Sequence, residues 1–371
     1  MKDFDEDVQE RFNKEIPDLN KHVLICFLGN VSAGKSSLIN ALFERDRESV
    51  IAEVGATSGV TKFVKYFRLD ENVLVLDSPG LEDIEKENSN ETESIIDKID
   101  VAIFVATGSV DMAQKRHFIE IRSKVKNTIF VLNKVDEFDD LERQAFNDVV
   151  YQWKHGLGVN KIFPTCAKGY DPRSRKDIPL RIEGVDDLRS EVFDILAKQK
   201  KDILLKKNMQ NKRTYAIGIA VTVVIAAAGE AYVPGSAAYI TATQAVAIAS
   251  IAYIYTGKKL GIKETSGLML PMIGQTVGKQ LFMFAASFFP LTDVIASVVA
   301  ASVTAAILSS VIVFFEMGYD ISDSSELNQI FKEVFPIIKN SLTDSKTKDS
   351  GLIEMVINNA LKRFKNNSKL S

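Results

Sequence analysis

Residues 29–37 of this 371-residue chain read Gly-Asn-Val-Ser-Ala-Gly-Lys-Ser-Ser, which matches the pattern G-x-x-x-x-G-K-[ST]. An apolar, strand-favouring run at 22–28 precedes them, and helical apolar spacing follows at 38–43. A phosphate-binding loop needs this strand, loop and helix context, because backbone N–H groups at a helix start point at a bound phosphate. The stretch predicts a nucleoside-triphosphate site in an α/β fold, with an ordinary glycine-bearing turn as the alternative.

The residue types of this phosphate loop, residues 29–37, indicate separate binding roles. Lys35 is expected to reach the β- and γ-phosphates, and Ser36 is expected to ligate Mg²⁺ through its hydroxyl. The two glycines let the main chain approach the phosphates closely. The predicted nucleotide-binding residues of the loop are Gly29, Asn30, Ser32, Ala33, Gly34, Lys35, Ser36 and Ser37.

Apolar runs of strand length alternate with helical patterns from residue 22 to about residue 165. Such alternation predicts a mainly parallel, six-stranded sheet covered by helices on both faces. The strands at 62–69 and 72–76 are separated by two residues, so they are expected to form a hairpin and give the sheet one antiparallel edge. The other predicted strands are 22–28, 99–106, 128–132 and 161–164, and the predicted helices are 35–45, 91–98, 112–124 and 138–155.

Short polar motifs follow these strands, at the sheet edge where ligands of open α/β sheets bind. Asp-Ser-Pro-Gly at 77–80 places Asp77 to hold Mg²⁺ through a water and the Gly80 N–H to meet the γ-phosphate. A plain turn would have the same sequence if it stood alone. Its distance behind a phosphate loop favours the functional interpretation.

Two threonines, Thr57 and Thr61, lie in the loop between the first helix and the hairpin. A hydroxyl here is expected to complete the Mg²⁺ shell while a γ-phosphate is present and to release it after hydrolysis. Thr61 is favoured because it stands just before the next strand, although either threonine could be an ordinary loop residue. The predicted catalytic residues are therefore Lys35, Thr61 and Gly80, and the predicted magnesium ligands are Ser36, Thr61 and Asp77.

The identity of the base is indicated by Asn-Lys-Val-Asp at 133–136, the base motif, which follows the strand at 128–132. An aspartate here can accept hydrogen bonds from adjacent N1–H and 2-amino donors, which guanine has and adenine lacks. The Ala167 N–H, one helix and one strand further on, is placed to donate to the guanine O6. The predicted ligands are GTP and GDP, and the predicted base-site residues are Asn133, Lys134, Asp136, Cys166, Ala167 and Lys168.

With these five stretches in order, residues 20 to about 205 resemble the GTPase domain of the translation-factor (TRAFAC) class, Era-like branch. The phosphate loop is also similar to that of bacterial dynamin-like proteins, which often carry Ser-Ala-Gly-Lys-Ser. Leu81 stands where Ras-like enzymes place a water-orienting glutamine, and hydrophobic residues at that place are usual in Era-like and dynamin-like GTPases. We therefore expect slow GTP hydrolysis, stimulated by nucleotide-dependent homodimerisation, by a cation such as K⁺ or by a partner.

Composition excludes several functional classes. A net charge of −3 argues against a nucleic-acid partner, because no domain face carries enough positive charge to neutralise phosphates. Cys26 and Cys166 lack the spacing of a disulfide framework or a zinc site. The acidic N-terminus has no apolar core region, so we expect no signal peptide and a cytoplasmic location.

The second half of the chain is strongly apolar. Segments at about 215–229 and 236–255, joined by Pro234-Gly235 and flanked by Lys and Arg, predict a re-entrant or transmembrane hairpin with its ends in the cytosol. A second block at 280–315 is broken at Pro290 and Asp293, and its latter part is long enough to span a bilayer. Because these segments are rich in Ala, Ser, Thr and Gly, a soluble helical bundle is the alternative.

We therefore predict four segments: an N-terminal helix at 1–20, a GTPase domain at 21–205, an apolar and all-α domain at 206–320, and amphipathic helices at 321–371. The apolar domain resembles the helical domain of unknown function that follows Era-like GTPase domains in many bacterial proteins. The predicted function is a GTP-hydrolysing switch coupled to a helical domain at the inner membrane, with lipid as a candidate partner. The alternatives are a dynamin-like membrane-remodelling assembly and a soluble GTP-regulated interaction module resembling immunity-related GTPases.

Overall fold

The computed structural model describes residues 4–54, 64–87, 95–231, 233, 236–273, 293–342 and 347–367. The chain divides into two compact units. One, the α/β unit, is Asp18–Gln210, and the other, the helical unit, combines Met1–Pro17 with Asn211–Ser371. The N-terminal helix therefore groups with the C-terminal half of the chain, while the finer division into four segments stays a prediction.

Within the described residues, the α/β unit contains a seven-stranded sheet with the order β2-β3-β1-β4-β5-β6-β7. Strands β1, β3, β4, β5 and β6 run parallel, and β2 pairs with β3 antiparallel, as the predicted hairpin requires. β1 and β4 are buried along almost their whole length, which is why both are continuous apolar runs. The strands are β1 Val23–Leu28, β2 Lys65–Arg68, β3 Val73–Ser78, β4 Val101–Thr107, β5 Thr128–Asn133, β6 Phe163–Lys168 and β7 Arg181–Glu183.

The described sheet has one strand more than the six predicted, because β7 leaves no pattern in the sequence. It has only three residues, Arg-Ile-Glu, and none of them is buried. It pairs antiparallel with β6, with Ala167 opposite Ile182 and Lys168 opposite Arg181. The sheet therefore has a second antiparallel edge, and this edge lies beside part of the predicted base site.

Helices of the α/β unit cover the sheet largely as the periodicity predicts. The helix predicted at 112–124 is confirmed with the same bounds. Val185–Lys198 and Asp202–Lys206 are separate helices, because Lys200 adopts a left-handed φ of 57° between them. Only the last part of the helix predicted at 91–98 is described, as the 3₁₀ turn Ile95–Lys98. The helices are α2 Lys35–Leu42, α3 Leu81–Glu87, α4 Met112–Lys124, α5 Arg143–Leu157, α6 Val185–Lys198 and α7 Asp202–Lys206.

The helical unit buries a continuous apolar core in which small residues allow close packing. The Gln244 amide donates to Thr304 Oγ1 at 2.7 Å, and the Ser297 hydroxyl donates to the Ala228 carbonyl at 2.7 Å, so these buried polar groups are satisfied. The predicted break at Pro290 and the turn at Pro234-Gly235 lie outside the described residues. The helices are α1 Phe4–Glu15, α8 Lys212–Glu230, α9 Ala237–Thr256, α10 Ile262–Ile273, α11 Asp293–Glu316, α12 Ser324–Ser341 and α13 Ser350–Asn367.

Among the described residues, three helices are long and apolar enough to cross a membrane. They are Lys212–Glu230, Ala237–Thr256 and Ala296–Glu316, of which 39%, 72% and 83% respectively is buried. The segments predicted at about 215–229 and 236–255, and the latter part of the block at 280–315, are therefore confirmed as helices of spanning length. Residues 280–292 of that block lie outside the described residues.

An ionic cluster joins the helices of this unit at one end. The Glu316 carboxylate accepts a hydrogen bond from the Tyr255 hydroxyl at 3.2 Å and lies 3.4 Å from Arg213 Nε. Its other oxygen is 3.2 Å from Lys365 Nζ. Because these residues belong to α8, α9, α11 and α13, the start of α8 and the ends of α9 and α11 meet at one end of the unit.

Candidate nucleotide-binding site

A cavity of about 770 Å³ lies at the carboxyl ends of β1, β3, β5 and β6. The phosphate loop, Asp77 and the base motif all contribute to its walls, although they are separated by up to a hundred residues in the chain. The predicted site residues that line it are Ser32, Gly34, Lys35, Ser36, Ser37, Asp77, Asn133, Lys134, Asp136, Ala167 and Lys168. The structure therefore brings most of the predicted site together.

Five of the predicted site residues do not line the cavity, and a sixth is not described. Gly29, Asn30 and Ala33 do not line the cavity and contribute backbone carbonyls to the contacts described below, and Cys166 contacts Asp136 from behind. Gly80 is not among the lining residues. Thr61 lies outside the described residues.

The glycines of the phosphate loop are required by close backbone approaches. Gly29 has a φ of +135°, and a Cβ on it would lie 2.2 Å from the carbonyl oxygen of Val105. Gly34 has a φ of +87°, and a Cβ there would lie 2.4 Å from Nδ2 of Asn133. Side chains cannot be accommodated at such distances, so the loop can pass between β4 and the base motif only with glycine at both positions.

Lys35 is a buried cation inside the curve of the loop. Its ammonium donates to the Gly29 carbonyl at 2.9 Å and to the Asn30 carbonyl at 3.2 Å, and it lies 3.6 Å from Asp77 Oδ1. Burial lowers the pKa of Lys35, and the Asp77 carboxylate opposes that shift. A phosphate bound here would meet a positive charge that is poorly solvated, which strengthens the attraction.

The oxygen atoms beside Lys35 fit Mg²⁺. The Ser36 hydroxyl donates to Asp77 Oδ2 at 2.8 Å, while Asp77 Oδ1 is buried and makes no hydrogen bond within the described part of the chain. A hydroxyl and a carboxylate are hard oxygen ligands of the kind that Mg²⁺ prefers. The described residues hold no group of three or more His, Cys, Asp or Glu side chains suited to a metal. A Mg²⁺ ion at Ser36 and Asp77 would need further oxygen ligands, such as phosphate oxygens and water.

The base motif presents an ionised carboxylate to the cavity. Asp136 accepts a hydrogen bond from Lys168 Nζ at 2.8 Å and another from Cys166 Sγ at 3.3 Å. Burial opposes ionisation of Asp136, but the hydrogen bonds from Lys168 and Cys166 outweigh it and hold the pKa of the carboxyl below its usual value. Asp136 is therefore an acceptor at neutral pH, as the recognition of guanine requires.

Asn133 connects the base motif to the phosphate loop. Its amide donates to the Ala33 carbonyl at 2.9 Å, and its carbonyl accepts from the Thr165 hydroxyl at 3.0 Å. Asn133 and Thr165 are 1% and 0% exposed, so neither bond can be replaced by water without rearrangement. Sequence reasoning missed Thr165, because a threonine inside a strand gives no signal of its role.

The loop after β3 is fixed from below by buried side chains. The Ser78 hydroxyl donates to the Gly80 carbonyl at 2.8 Å, and the Gly80 N–H donates to Ser78 Oγ at 3.3 Å. Leu81 is 2% exposed and packs in the core beneath the sheet edge together with Ile84. The departure noted at Leu81 therefore has a structural role, since this side chain anchors the first turn of α3 in the core.

Part of this chain is similar to known GTPases. Residues 24–134 match the family model described as a 50S ribosome-binding GTPase. GTPase Der of Campylobacter concisus (strain 13826) is 34% identical over 202 residues, covering 47% of this chain and 43% of that protein. GTPase Der of Campylobacter fetus subsp. fetus (strain 82-40) is 27% identical over 182 residues, covering 47% of this chain and 35% of that protein. The chain thus spans less than half the length of either relative.

Among solved structures, the chain is similar to the G domain of the FeoB iron transporter of T. maritima, at 19% identity and a TM-score of 0.30. The match covers 47% of this chain and 98% of that chain. Fold and site together define a P-loop GTPase domain of the TRAFAC type. The relatives of this domain are GTPases, which are hydrolases. They are Der and MnmE proteins, so the Era-like assignment stays a prediction.

Proposed function

We propose that this protein binds GTP in the strand-end cavity, hydrolyses it to GDP and phosphate, and uses the bound nucleotide to control a membrane-associated helical unit. The observation that carries the first part is the convergence of Lys35, Ser36, Asp77 and Asp136 on one cavity. A nucleoside triphosphate requires ligands for phosphate, metal and base in one site, and these residue types could supply all three.

Each group of site residues would bind a different part of the nucleotide. The phosphate loop wraps the β-phosphate, and Lys35 leaves its own loop carbonyls to bind the β- and γ-phosphates. Ser36, Asp77 and Thr61 would hold Mg²⁺, which would neutralise charge on the phosphates. Asp136 would accept the two guanine donors in exchange for its bond with Lys168. Because adenine lacks those donors, a partly buried Asp136 left without them would disfavour ATP by about 1–3 kcal/mol.

The membrane part of the proposal is supported by the helical unit. Three of its helices have spanning length, and the positive-inside rule places the Lys- and Arg-rich ends of α8 and α9 in the cytosol. The ionic cluster around Glu316 lies at those ends, where charged groups can reach water. We infer a location at the inner membrane of a bacterial-type cell, with lipid as the partner of the apolar helices.

A soluble, GTP-regulated interaction module is the second candidate. The observation that favours it is the burial of α11, whose spanning window is 83% buried inside the unit itself. A helix already covered by protein needs no lipid around it. The matched family is described as ribosome-binding, while the net charge of −3 leads us to expect no nucleic-acid partner for this chain.

The experiment is GTP turnover by the full chain, measured against protein concentration, with K⁺ or Na⁺, and with ATP as competitor. We expect turnover that requires Mg²⁺, resists ATP and rises with protein concentration or K⁺. Lys35→Ala is expected to abolish it, whereas Lys154→Ala, on the exposed end of α5, serves as a matched control and keeps it. Absence of GTP binding would contradict the proposal, and fast hydrolysis by a dilute monomer without K⁺ would contradict the stimulated mechanism.

A further inference from the structure

His117, on α4, packs directly against the loop that follows β3. A Cβ built on Gly80 would lie 3.2 Å from His117 Nε2 and 3.5 Å from Cε1, and these are the atoms nearest to it. On its other side, the imidazole meets the ring of Phe104 edge to face, with centroids 5.2 Å apart. Phe104 is fully buried in β4, so the imidazole is fixed between the sheet and Gly80.

Gly80 is thereby held from two directions. Ser78 holds both its carbonyl and its N–H from below, and Leu81 fixes the next residue in the core. A γ-phosphate that takes the Gly80 N–H must draw it away from Ser78 Oγ, a bond that is already long at 3.3 Å. The side of Gly80 that faces α4 is occupied by His117, so the imidazole limits where the glycine can move.

We propose that His117 is a positioning residue for GTP hydrolysis, which sets the place of Gly80 where it meets the γ-phosphate. The proposal rests on the hydrolysis proposed above and assigns a role to a residue outside all the motifs. Leu81 is directed into the core, so its side chain cannot orient a water. No glutamine follows Gly80 in this chain, and the contact with His117 instead restrains the loop at Gly80.

The charges around the imidazole support a neutral side chain at this place. Burial lowers the pKa of His117, and the carboxylates of Glu120 on α4 and of Asp83 and Glu82 on α3 oppose that shift. Lys35 lowers this pKa further. A neutral imidazole can pack on a glycine without pairing with the α3 carboxylates.

The test measures kcat, KM and GDP affinity for His117→Ala and His117→Gln in the full chain. We expect His117→Ala to lower kcat about tenfold with KM and GDP affinity within twofold, because a loop displaced by about 1 Å misplaces the reacting groups. His117→Gln, which keeps a neutral polar group of similar reach, should restore most of kcat. His155→Ala, on an exposed face of α5, is the matched control and should leave all three unchanged.

A double-mutant cycle with Gly80→Ala gives the sharper readout, since the added Cβ would press on Nε2 at 3.2 Å. We expect Gly80→Ala to lower kcat much more in the native background than in His117→Ala, where the space is open. If His117→Ala does not fold, the cycle uses His117→Ser, which also removes the imidazole. Additive effects, or a kcat of His117→Ala within twofold of the native value, would overturn the role of His117 alone. Absence of turnover by the native chain would instead refute the proposed function.

Discussion

Replacing Thr165 by valine tests the connection between the base motif and the phosphate loop. Valine has nearly the shape of threonine, so the change removes one hydroxyl and leaves the packing in place. Asn133 Oδ1 loses the donor at 3.0 Å, and its 1% exposure prevents water from replacing that donor. A buried acceptor left unsatisfied costs about 1–3 kcal/mol.

A loss of about 2 kcal/mol in a unit of this size should lower the melting temperature of the α/β unit by about 4–8 °C. Nucleotide affinity should fall as well, because the same Asn133 side chain holds the Ala33 carbonyl at 2.9 Å. A tenfold loss of GDP affinity corresponds to about 1.4 kcal/mol, which is within the free energy that the lost bond makes available.

The assays are thermal unfolding without nucleotide and GDP titration, each compared with Thr128→Val. Thr128 is only partly buried and its hydroxyl bonds a nearby carbonyl, that of Val125, at 2.8 Å, so this control should change the free energy of unfolding by no more than about 0.5 kcal/mol. The reasoning is refuted if Thr165→Val matches the native chain in both melting temperature and GDP affinity.

Three further substitutions are informative. Leu81→Gln should lower the free energy of unfolding by about 2–4 kcal/mol without accelerating hydrolysis, because the amide enters the core; a faster and equally stable variant would contradict this. Asp136→Asn, which offers one acceptor and one donor, should weaken GTP binding about a hundredfold and favour xanthosine triphosphate, as competition binding would show. Glu316→Gln should destabilise the helical unit by about 2 kcal/mol in chemical denaturation, because Arg213 and Lys365 lose their counter-charge; an unchanged midpoint would argue against the ionic cluster.

The phosphate loop, Asp77 and Asp136 could be predicted because their chemistry requires fixed residue types directly after strands, and strands leave a periodic apolar signal. The role of Thr165 and the strand β7 could not be predicted from the sequence. The role of Thr165 arises from a contact with Asn133, 32 residues earlier, which local pattern does not encode. β7 is a three-residue edge strand without a buried side chain, so it has no periodicity to detect.

The direction of the Leu81 side chain could not be predicted from the sequence either. A leucine after Asp-Ser-Pro-Gly indicates only that no glutamine is present, whereas the structure shows that its side chain is part of the core together with Ile84. Similarly, the apolar helices could be predicted in number and approximate bounds, but their burial against one another depends on which faces meet. Side-chain direction and long-range contact are the parts that required coordinates.

The central claim is that the nucleotide bound by the α/β unit controls how the helical unit meets a membrane. The direct measurement is flotation of the full chain with vesicles containing anionic lipid, in the presence of a non-hydrolysable GTP analogue or of GDP, with Lys35→Ala as the control. The account predicts lipid-dependent flotation whose extent differs between the two nucleotides in the native chain and not in the variant. Equal flotation with either nucleotide, or recovery of all the protein in the soluble fraction, would contradict it.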